Sequence, residues 1–191
     1  MHGKAARPTI LFVPGLRDYV EDHWQTHAAR EIRGSITVEP LRVERLSRTA
    51  QVAALDHALS SVSGPVTIVA HSAGCLTTVH WARTPSRQIR AALLVTPADL
   101  SKPLPDGYPE IGTLRANGWL PIPQKPLPFP TLVVASRNDP LAGFDSASGM
   151  AKAWGARLFD AGAVGHLNPA AGYGPWPQFA ELLAELHCFV H

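Results

Sequence analysis

The sequence has few of the features that mark secreted, membrane-spanning or metal-stapled proteins. Its 191 residues include two cysteines, Cys75 and Cys188, and neither lies in a CxxC pair. The sequence therefore predicts neither a disulfide framework nor a metal site. No apolar run approaches the ~18 residues that a membrane span needs. The basic start, MHGKAARPT, is not followed by the apolar segment of a signal peptide, so we expect a soluble cytoplasmic protein without membrane contact.

Charge is also sparse and nearly balanced. Lys and Arg number 17 and Asp and Glu number 15, which gives a net charge of +2, and no block of basic residues occurs. Because nucleic-acid binding normally needs a concentrated basic face, we expect no nucleic-acid partner. Hydrophobic residues make up 46% of the chain, enough for one sizeable core, and the length suits a single domain over residues 1–191.

Short apolar runs alternate with helix-like segments along the chain. The runs lie at 9–13, 35–39, 66–70, 91–95, 131–135 and 156–160. Most are continuously apolar, which is typical of parallel strands that are buried on both faces. Helical patterns cover 22–33, 49–62 (with Thr49 as N-cap), 73–83, 145–154 and 177–189. This alternation predicts an α/β fold with about six mostly parallel strands, helices on both faces and no large lid domain.

The segment 97–130 departs from this alternation. It holds nine of the 18 prolines, which rule out a long helix or a central strand because proline fixes φ and removes a donor. We expect a stiff connection with a short helix near 110–117. Two interpretations stay open: a lid or binding loop, or a spacer that covers one end of the sheet.

The stretch VTIVAHSAGC (66–75) raises a more specific question, because an apolar strand runs directly into a serine among small residues. One interpretation is an ordinary tight turn. The other is a nucleophile elbow, in which a strand reverses into a helix and lifts the serine hydroxyl above the sheet. Ala70 stands where the usual pattern G-x-S-x-G has its first glycine, and Gly74 matches the second. The pattern favours Ser72 as a nucleophile.

A serine hydroxyl needs a base, and the base needs an acid that orients it. In this kind of sheet the expected chain order is Ser, then Asp or Glu, then His, each just past a strand. Asp139 follows the strand at 131–135, and His166 follows the strand at 156–160. Asp99, after the strand at 91–95, is the alternative acid. We favour Asp139, because Asp99 suits a turn at the start of the proline-rich connection.

Developing negative charge on a substrate oxygen also needs hydrogen-bond donors. The backbone N–H of Ala73, directly after the serine, is one candidate. The backbone N–H of Leu16, in the loop after the first strand, is the other; a plain Pro-Gly turn is the alternative reading of that loop. Trp24, Trp119 and Phe129 are candidates for a substrate pocket, although core packing is the favoured interpretation for each. His23 and His27 have the spacing of half a metal site, but no third ligand follows, so we predict no metal.

Three stretches together resemble the α/β-hydrolases, and most closely the small serine hydrolases related to retinoblastoma-binding protein nine, the YdeN-like family. They are FVPGLRDYVEDHWQ (12–25), VAHSAG (69–74) and VGHLNPAAGYGPWP (164–177). The resemblance implies a minimal α/β-hydrolase with Ser72, Asp139 and His166 as triad and esterase-type activity on small esters.

Two functional hypotheses follow from these residues. The first is a serine hydrolase that cleaves small carboxylic esters through an acyl-enzyme and requires no cofactor; the mostly neutral residues near the site favour a small uncharged acyl group. The second is a protein that keeps the fold but acts by binding a partner. Three suitably placed catalytic groups favour the enzyme, since a binder has no need of them.

Overall fold

The computed structural model of the chain describes residues 7–17 and 20–188. Within these residues one sheet has the strand order β2-β1-β3-β4-β5-β6, and every neighbouring pair is parallel. The strands are β1 (Thr9–Val13), β2 (Ile36–Thr37), β3 (Val66–His71), β4 (Ala91–Val95), β5 (Thr131–Ala135) and β6 (Arg157–Asp160). The predicted parallel α/β sheet is thus confirmed.

The second strand is shorter than the pattern at 35–39 predicts. Ile36 and Thr37 pair with β1, and the N–H of Val38 still donates to the carbonyl of Phe12 at 2.9 Å. Pro40 has no N–H to donate, and Glu39 is exposed, so pairing does not extend further. Strands β4 and β5, in contrast, match their predicted bounds, and β3 extends one residue further, to His71; the side chains of all three are buried on both faces.

Helices cover both faces of the sheet in the described part of the chain. They are α1 (Trp24–Glu31), α2 (Arg48–Ser60), α3 (Ala73–Trp81), α4 (Ile111–Ala116), α5 (Phe144–Ala153) and α6 (Gln178–Cys188). Helices α1 and α6 share a core cluster on one face, whereas α2, α3 and α5 contribute to the cluster on the other. None of the helices described is long and apolar enough to cross a membrane.

Several helix ends differ from the sequence-based expectation by one or two residues. Helix α2 begins at Arg48 rather than at residue 49, because the hydroxyl of Ser47 caps it by accepting the N–H of Ala50 at 3.2 Å. The prediction of Thr49 as N-cap is therefore wrong. The predicted end of the last helix at residue 189 lies outside the described residues.

The longest connection in the described part joins β4 to β5 and holds the short helix α4, as predicted. Leu114, Trp119 and Ile122 of this connection are buried in the same core cluster as α2 and α3. The connection thus packs along one face of the sheet. Since the strands are parallel, the loops after β1, β3, β4, β5 and β6 all meet at the carboxyl edge of the sheet, where the candidate site lies.

Candidate active site

The turn between β3 and α3 has the geometry of a nucleophile elbow. Ser72 is the single residue between these elements, with φ 57° and ψ −126°, a conformation that non-glycine residues rarely adopt. Its N–H donates to the carbonyl of Val95 at 3.0 Å, which ties the turn to β4. A Cβ at Gly74 would lie 2.3 Å from the carbonyl oxygen of Val13 and 2.4 Å from that of Pro14. Only glycine lets α3 approach the first loop so closely, and this approach holds the strained serine in place.

The structure brings Ser72, His166 and Asp139 into one chain of hydrogen bonds. His166 Nε2 lies 2.9 Å from Ser72 Oγ, and His166 Nδ1 lies 2.9 Å from each carboxylate oxygen of Asp139. Both His166 and Asp139 are buried, whereas Ser72 is half-buried and borders a cavity. A carboxylate at Nδ1 favours the tautomer with its proton on that nitrogen, so Nε2 is left to accept the serine proton.

Asp99, the alternative acid, has different partners. Its carboxylate accepts hydrogen bonds from Ser101 and Ser146 and lies 3.3 Å from the ammonium of Lys102. Burial acts to raise the pKa of Asp99, but these hydrogen bonds outweigh it and hold the pKa below its usual range. Asp99 therefore fastens the start of the proline-rich connection to α5, while the Nδ1 of His166 faces Asp139.

The loop that carries His166 is anchored by side chains from three neighbouring strand ends. His71 Nε2 lies 2.8 Å from the carbonyl oxygen of His166, and the hydroxyl of Thr96 donates to the same oxygen at 3.3 Å. One residue earlier, the N–H of Gly165 donates to Asn138 Oδ1 at 2.7 Å. These bonds fix the backbone on both sides of the imidazole, and so they fix the position from which its Nε2 reaches the serine.

Three imidazole rings pack against one another beside the serine. The rings of His23 and His71 are 4.5 Å apart between centroids, and those of His71 and His166 are 4.8 Å apart. Burial lowers the pKa of His23 to about 4, with a smaller contribution from His166. Burial likewise holds the pKa of His71 well below its usual value, as do His166 and His23. Both rings are therefore neutral near pH 7. The Nε2 of His71 carries the proton that it donates to the backbone carbonyl of His166.

The two histidines at metal-ligand spacing are engaged otherwise. His23 Nδ1 accepts the N–H of Gln25 at 3.1 Å and caps α1, while His27 Nε2 lies 2.9 Å from Asp22 Oδ1. Among residues 7–17 and 20–188, no group of three metal-ligating side chains comes together.

The candidate oxyanion donors lie on both sides of Ser72. Ala73 is the first residue of α3, so its N–H has no acceptor within the helix. A Cβ at Gly15 would lie 3.1 Å from Ser72 Cβ and 3.5 Å from its Oγ, which places the loop after β1 directly against the serine. Leu16, the next residue, borders the same cavity as Ser72 and Ala73. The amide of Gln25 donates to the Val69 carbonyl at 3.1 Å and so braces α1 against the sheet behind this loop.

A cavity of about 690 Å³ opens above Ser72. One part of its wall is apolar and consists of Leu46, Leu100, Leu104 and Leu141. The start of the proline-rich connection thus contributes to the cavity, in addition to covering the sheet. A cavity of this size is typical of small-molecule sites and is larger than a short acyl group requires.

The aromatic residues proposed for a pocket lie elsewhere. Trp24, Trp119 and Phe129 are buried in the two core clusters and are not part of the wall of this cavity. Trp24 packs edge-on against Trp176 at 5.1 Å, and the indole N–H of Trp119 donates to the carbonyl of Leu46 at 2.7 Å. For all three, the structure agrees with the core-packing interpretation that the sequence left open.

Sequence reasoning missed Thr96 and Asn138, which anchor the His166 loop. Thr96 directly follows β4, and Asn138 comes three residues after β5, so the signal that found Asp139, a polar residue just past a buried strand, applies to them as well. The leucines of the cavity wall carry no such signal, because their spacing does not differ from that of core residues.

Comparisons with known proteins agree with this fold. Residues 10–185 match the family model described as serine hydrolase. The chain has a TM-score of 0.81 and 32% identity to a structure described as a YdeN-like hydrolase from Pectobacterium atrosepticum, over 96% of this chain and 92% of that one. The ydeN gene product of B. subtilis gives 0.73 and 16% over 94% and 98% of the two chains. The esterase domain of a Rhodothermus marinus protein gives 0.63 and 14% over 98% and 88%.

The more distant of these structures, at 16% and 14% identity, show the fold alone. The sheet and helices are those of a small α/β-hydrolase fold, as predicted. No curated protein that was compared matches the chain.

Proposed function

The chain belongs to the serine hydrolase family, and from that premise we propose that it hydrolyses carboxylic esters with Ser72 as nucleophile, His166 as base and Asp139 as the acid that orients His166. The observation that carries the proposal is the hydrogen-bond chain from Ser72 Oγ through the imidazole to the carboxylate, with 2.9 Å at each link. Its proposed partner is a small-molecule ester that enters the cavity above Ser72.

In the first half of the reaction, Ser72 Oγ bonds to the ester carbonyl carbon and its proton passes to His166 Nε2. The carbonyl oxygen becomes an oxyanion, which the N–H groups of Leu16 and Ala73 stabilise. The oxyanion then re-forms the carbonyl, the bond to the alcohol oxygen breaks, and the proton on His166 goes to the departing alcohol. An acyl group remains on Ser72.

In the second half, water takes the place of the alcohol. His166 Nε2 removes a proton from the water as its oxygen attacks the acyl carbon, and the same proton returns to Ser72 Oγ when the acid leaves. Asp139 holds the imidazole in the tautomer that can accept a proton and stabilises the positive charge that the ring gains. The neutral rings of His23 and His71 add no competing positive charge beside it.

The cavity bears on the class of substrate. Its leucine wall suits the carbon chain of an acyl group, and the volume admits chains longer than those that the sequence favoured. We propose an ester with an acyl chain of several carbons. The esterase domain among the structural neighbours shares only 14% identity, so the proposed esterase activity rests on the site and not on that likeness.

A panel of 4-nitrophenyl esters with acyl chains of two to ten carbons tests the proposal, with a thioester and an amide of one chain length alongside. We expect turnover by the wild-type protein, a maximum at intermediate chain length, and loss of turnover in Ser72→Ala, whose folding is checked by circular dichroism. Absence of turnover for every substrate by a folded wild-type protein would instead favour the partner-binding hypothesis.

A further inference from the structure

The charged side chains that border the cavity differ in whether an oppositely charged side chain lies near them. Arg17, Arg30 and Glu39 are the charged residues of its described wall, apart from the histidines. The guanidinium of Arg30 lies 3.8 Å from the carboxylate of Glu21. Arg17 has no ion pair with any described residue, and it follows Leu16, the candidate oxyanion donor, directly in the chain. Among the described residues, Arg17 therefore borders the cavity without an acidic partner, one residue along the chain from a candidate oxyanion donor.

The guanidinium of Arg17 lies over an aromatic ring, although the residue as a whole is exposed. Its guanidinium carbon lies 5.0 Å from the centroid of Tyr108, within the range of a cation–π contact. Tyr108 is half-buried against the core, and its N–H donates to the Pro105 carbonyl at 3.2 Å, so it is held by the proline-rich connection. A guanidinium that stacks through its face keeps the N–H groups at its edge available for hydrogen bonds.

From this arrangement, and resting on the proposed ester hydrolysis, we infer that the cavity takes esters that carry a carboxylate, and that Arg17 binds this carboxylate. The fork of N–H donors on a guanidinium matches the two oxygens of a carboxylate. The apolar wall then holds the carbon chain between the carboxylate and the scissile carbonyl. The sequence had favoured an uncharged acyl group; the contact between Arg17 and Tyr108, which joins two distant loops, points to an acidic one.

Two pairs of esters, each with one acidic and one neutral member, test this inference. In mono(4-nitrophenyl) glutarate a carboxylate takes the place of the terminal methyl of 4-nitrophenyl pentanoate. A second pair, 4-carboxyphenyl butanoate and phenyl butanoate, places the carboxylate on the alcohol side. The measured quantity is the ratio of kcat/KM for the acidic ester to that for the neutral one, after subtraction of spontaneous hydrolysis.

We expect Arg17→Gln to lower this ratio by about 10- to 100-fold for at least one pair, since a hydrogen bond to a charged group is lost. Arg17→Lys keeps the charge but loses the fork and the stacking, and we expect an intermediate ratio. Tyr108→Leu frees the guanidinium and should lower the ratio about two- to fivefold. Arg115→Gln removes an exposed charge of the same sign from α4, which does not border this cavity, and should leave the ratio as it is.

Ratios that are the same in Arg17→Gln and the wild-type protein for both pairs would overturn the inference. Glutarate itself provides a readout that needs no turnover. Titration calorimetry should show that the wild-type protein binds glutarate about tenfold or more tightly than Arg17→Gln, and equal binding would also overturn the inference. If no ester is hydrolysed but glutarate binds in an Arg17-dependent way, the proposed function fails while the carboxylate site stands.

Discussion

Replacement of Asp139 with Asn tests how the candidate triad works, because it changes charge and donors but almost no volume. Asp139 Oδ1 accepts the N–H of Leu141 at 2.8 Å as well as lying 2.9 Å from His166 Nδ1. The asparagine oxygen will keep the Oδ1 position, since an amide N–H there would face the Leu141 N–H. The NH₂ group then takes the Oδ2 position, 2.9 Å from Nδ1. This group donates, so it favours the imidazole tautomer with its proton on Nε2, which cannot accept the proton of Ser72.

Two estimates of the increase in activation free energy caused by Asp139→Asn agree. A unit charge pair separated by 2.9 Å is worth about 6 kcal/mol at an effective dielectric constant of about 20, and the variant loses this attraction when the imidazolium forms. The same substitution in a well-characterised serine protease lowers kcat about 10⁴-fold, which corresponds to about 5.4 kcal/mol of activation free energy. We therefore expect kcat of Asp139→Asn to fall by about 10³- to 10⁴-fold with little change in KM.

Stopped-flow and steady-state hydrolysis of one 4-nitrophenyl ester give kcat and KM for the variant. Asp99→Asn is the matched control, since it makes the same chemical change in a carboxylate that contacts Ser101, Ser146 and Lys102. We expect a lower melting temperature for this control but a kcat within a few-fold of the wild-type value. A larger loss of kcat in Asp99→Asn than in Asp139→Asn would refute the assignment of the acid.

Three further predictions concern the surroundings of the triad. His71→Leu removes a donor to the His166 carbonyl, so kcat should fall about 3- to 10-fold. His71→Gln offers an N–H at the same position and should restore most of the lost kcat. Equal losses in the two variants would mean that the ring acts by packing alone. In Gly74→Ala the new Cβ would overlap backbone oxygens at 2.3 and 2.4 Å. Urea titration should therefore show a free energy of unfolding lower by about 1–3 kcal/mol. An unchanged midpoint of the urea transition would contradict the close approach of α3. The pKa of His23 is about 4 in the folded protein, against an ordinary value of 6.5. Between these pH values the unfolded chain therefore binds more protons than the folded protein. The stability contribution of a neutral His23 is lost as pH falls from about 6.5 towards 4. The free energy of unfolding should decrease by up to about 1.4 kcal/mol per pH unit from this residue, and His23→Gln should flatten the dependence; equal slopes in both proteins would count against a buried neutral ring.

The sequence predicts the fold and the placement of the candidate triad because both follow from local pattern and simple topology. Continuous apolar runs indicate strands that are buried on both faces, and β1, β4 and β5 match their predicted bounds. Parallel strands bring their carboxyl ends to one edge of the sheet. Ser72, Asp139 and His166 each follow a strand, so their meeting could be expected from their order alone.

Features that depend on long-range packing could not be predicted in this way. The length of β2 depends on where pairing with β1 stops, and the start of α2 depends on which of several polar residues caps it; Ser47 does so rather than Thr49. The path of the proline-rich connection decides that Trp119 is buried in the core while Tyr108 borders the cavity. No local pattern distinguishes these two aromatic residues, because both follow a glycine within the same proline-rich segment.

Covalent labelling of the nucleophile tests the central claim most directly. After reaction with a fluorophosphonate, intact-protein and peptide mass spectrometry should show one adduct, located on Ser72, at a rate that drops by orders of magnitude in His166→Ala. Ser72→Ala should remain unlabelled while keeping the circular dichroism spectrum of the wild-type protein. A folded wild-type protein that forms no adduct, or one whose adduct lies on another residue and persists in Ser72→Ala, would contradict the account.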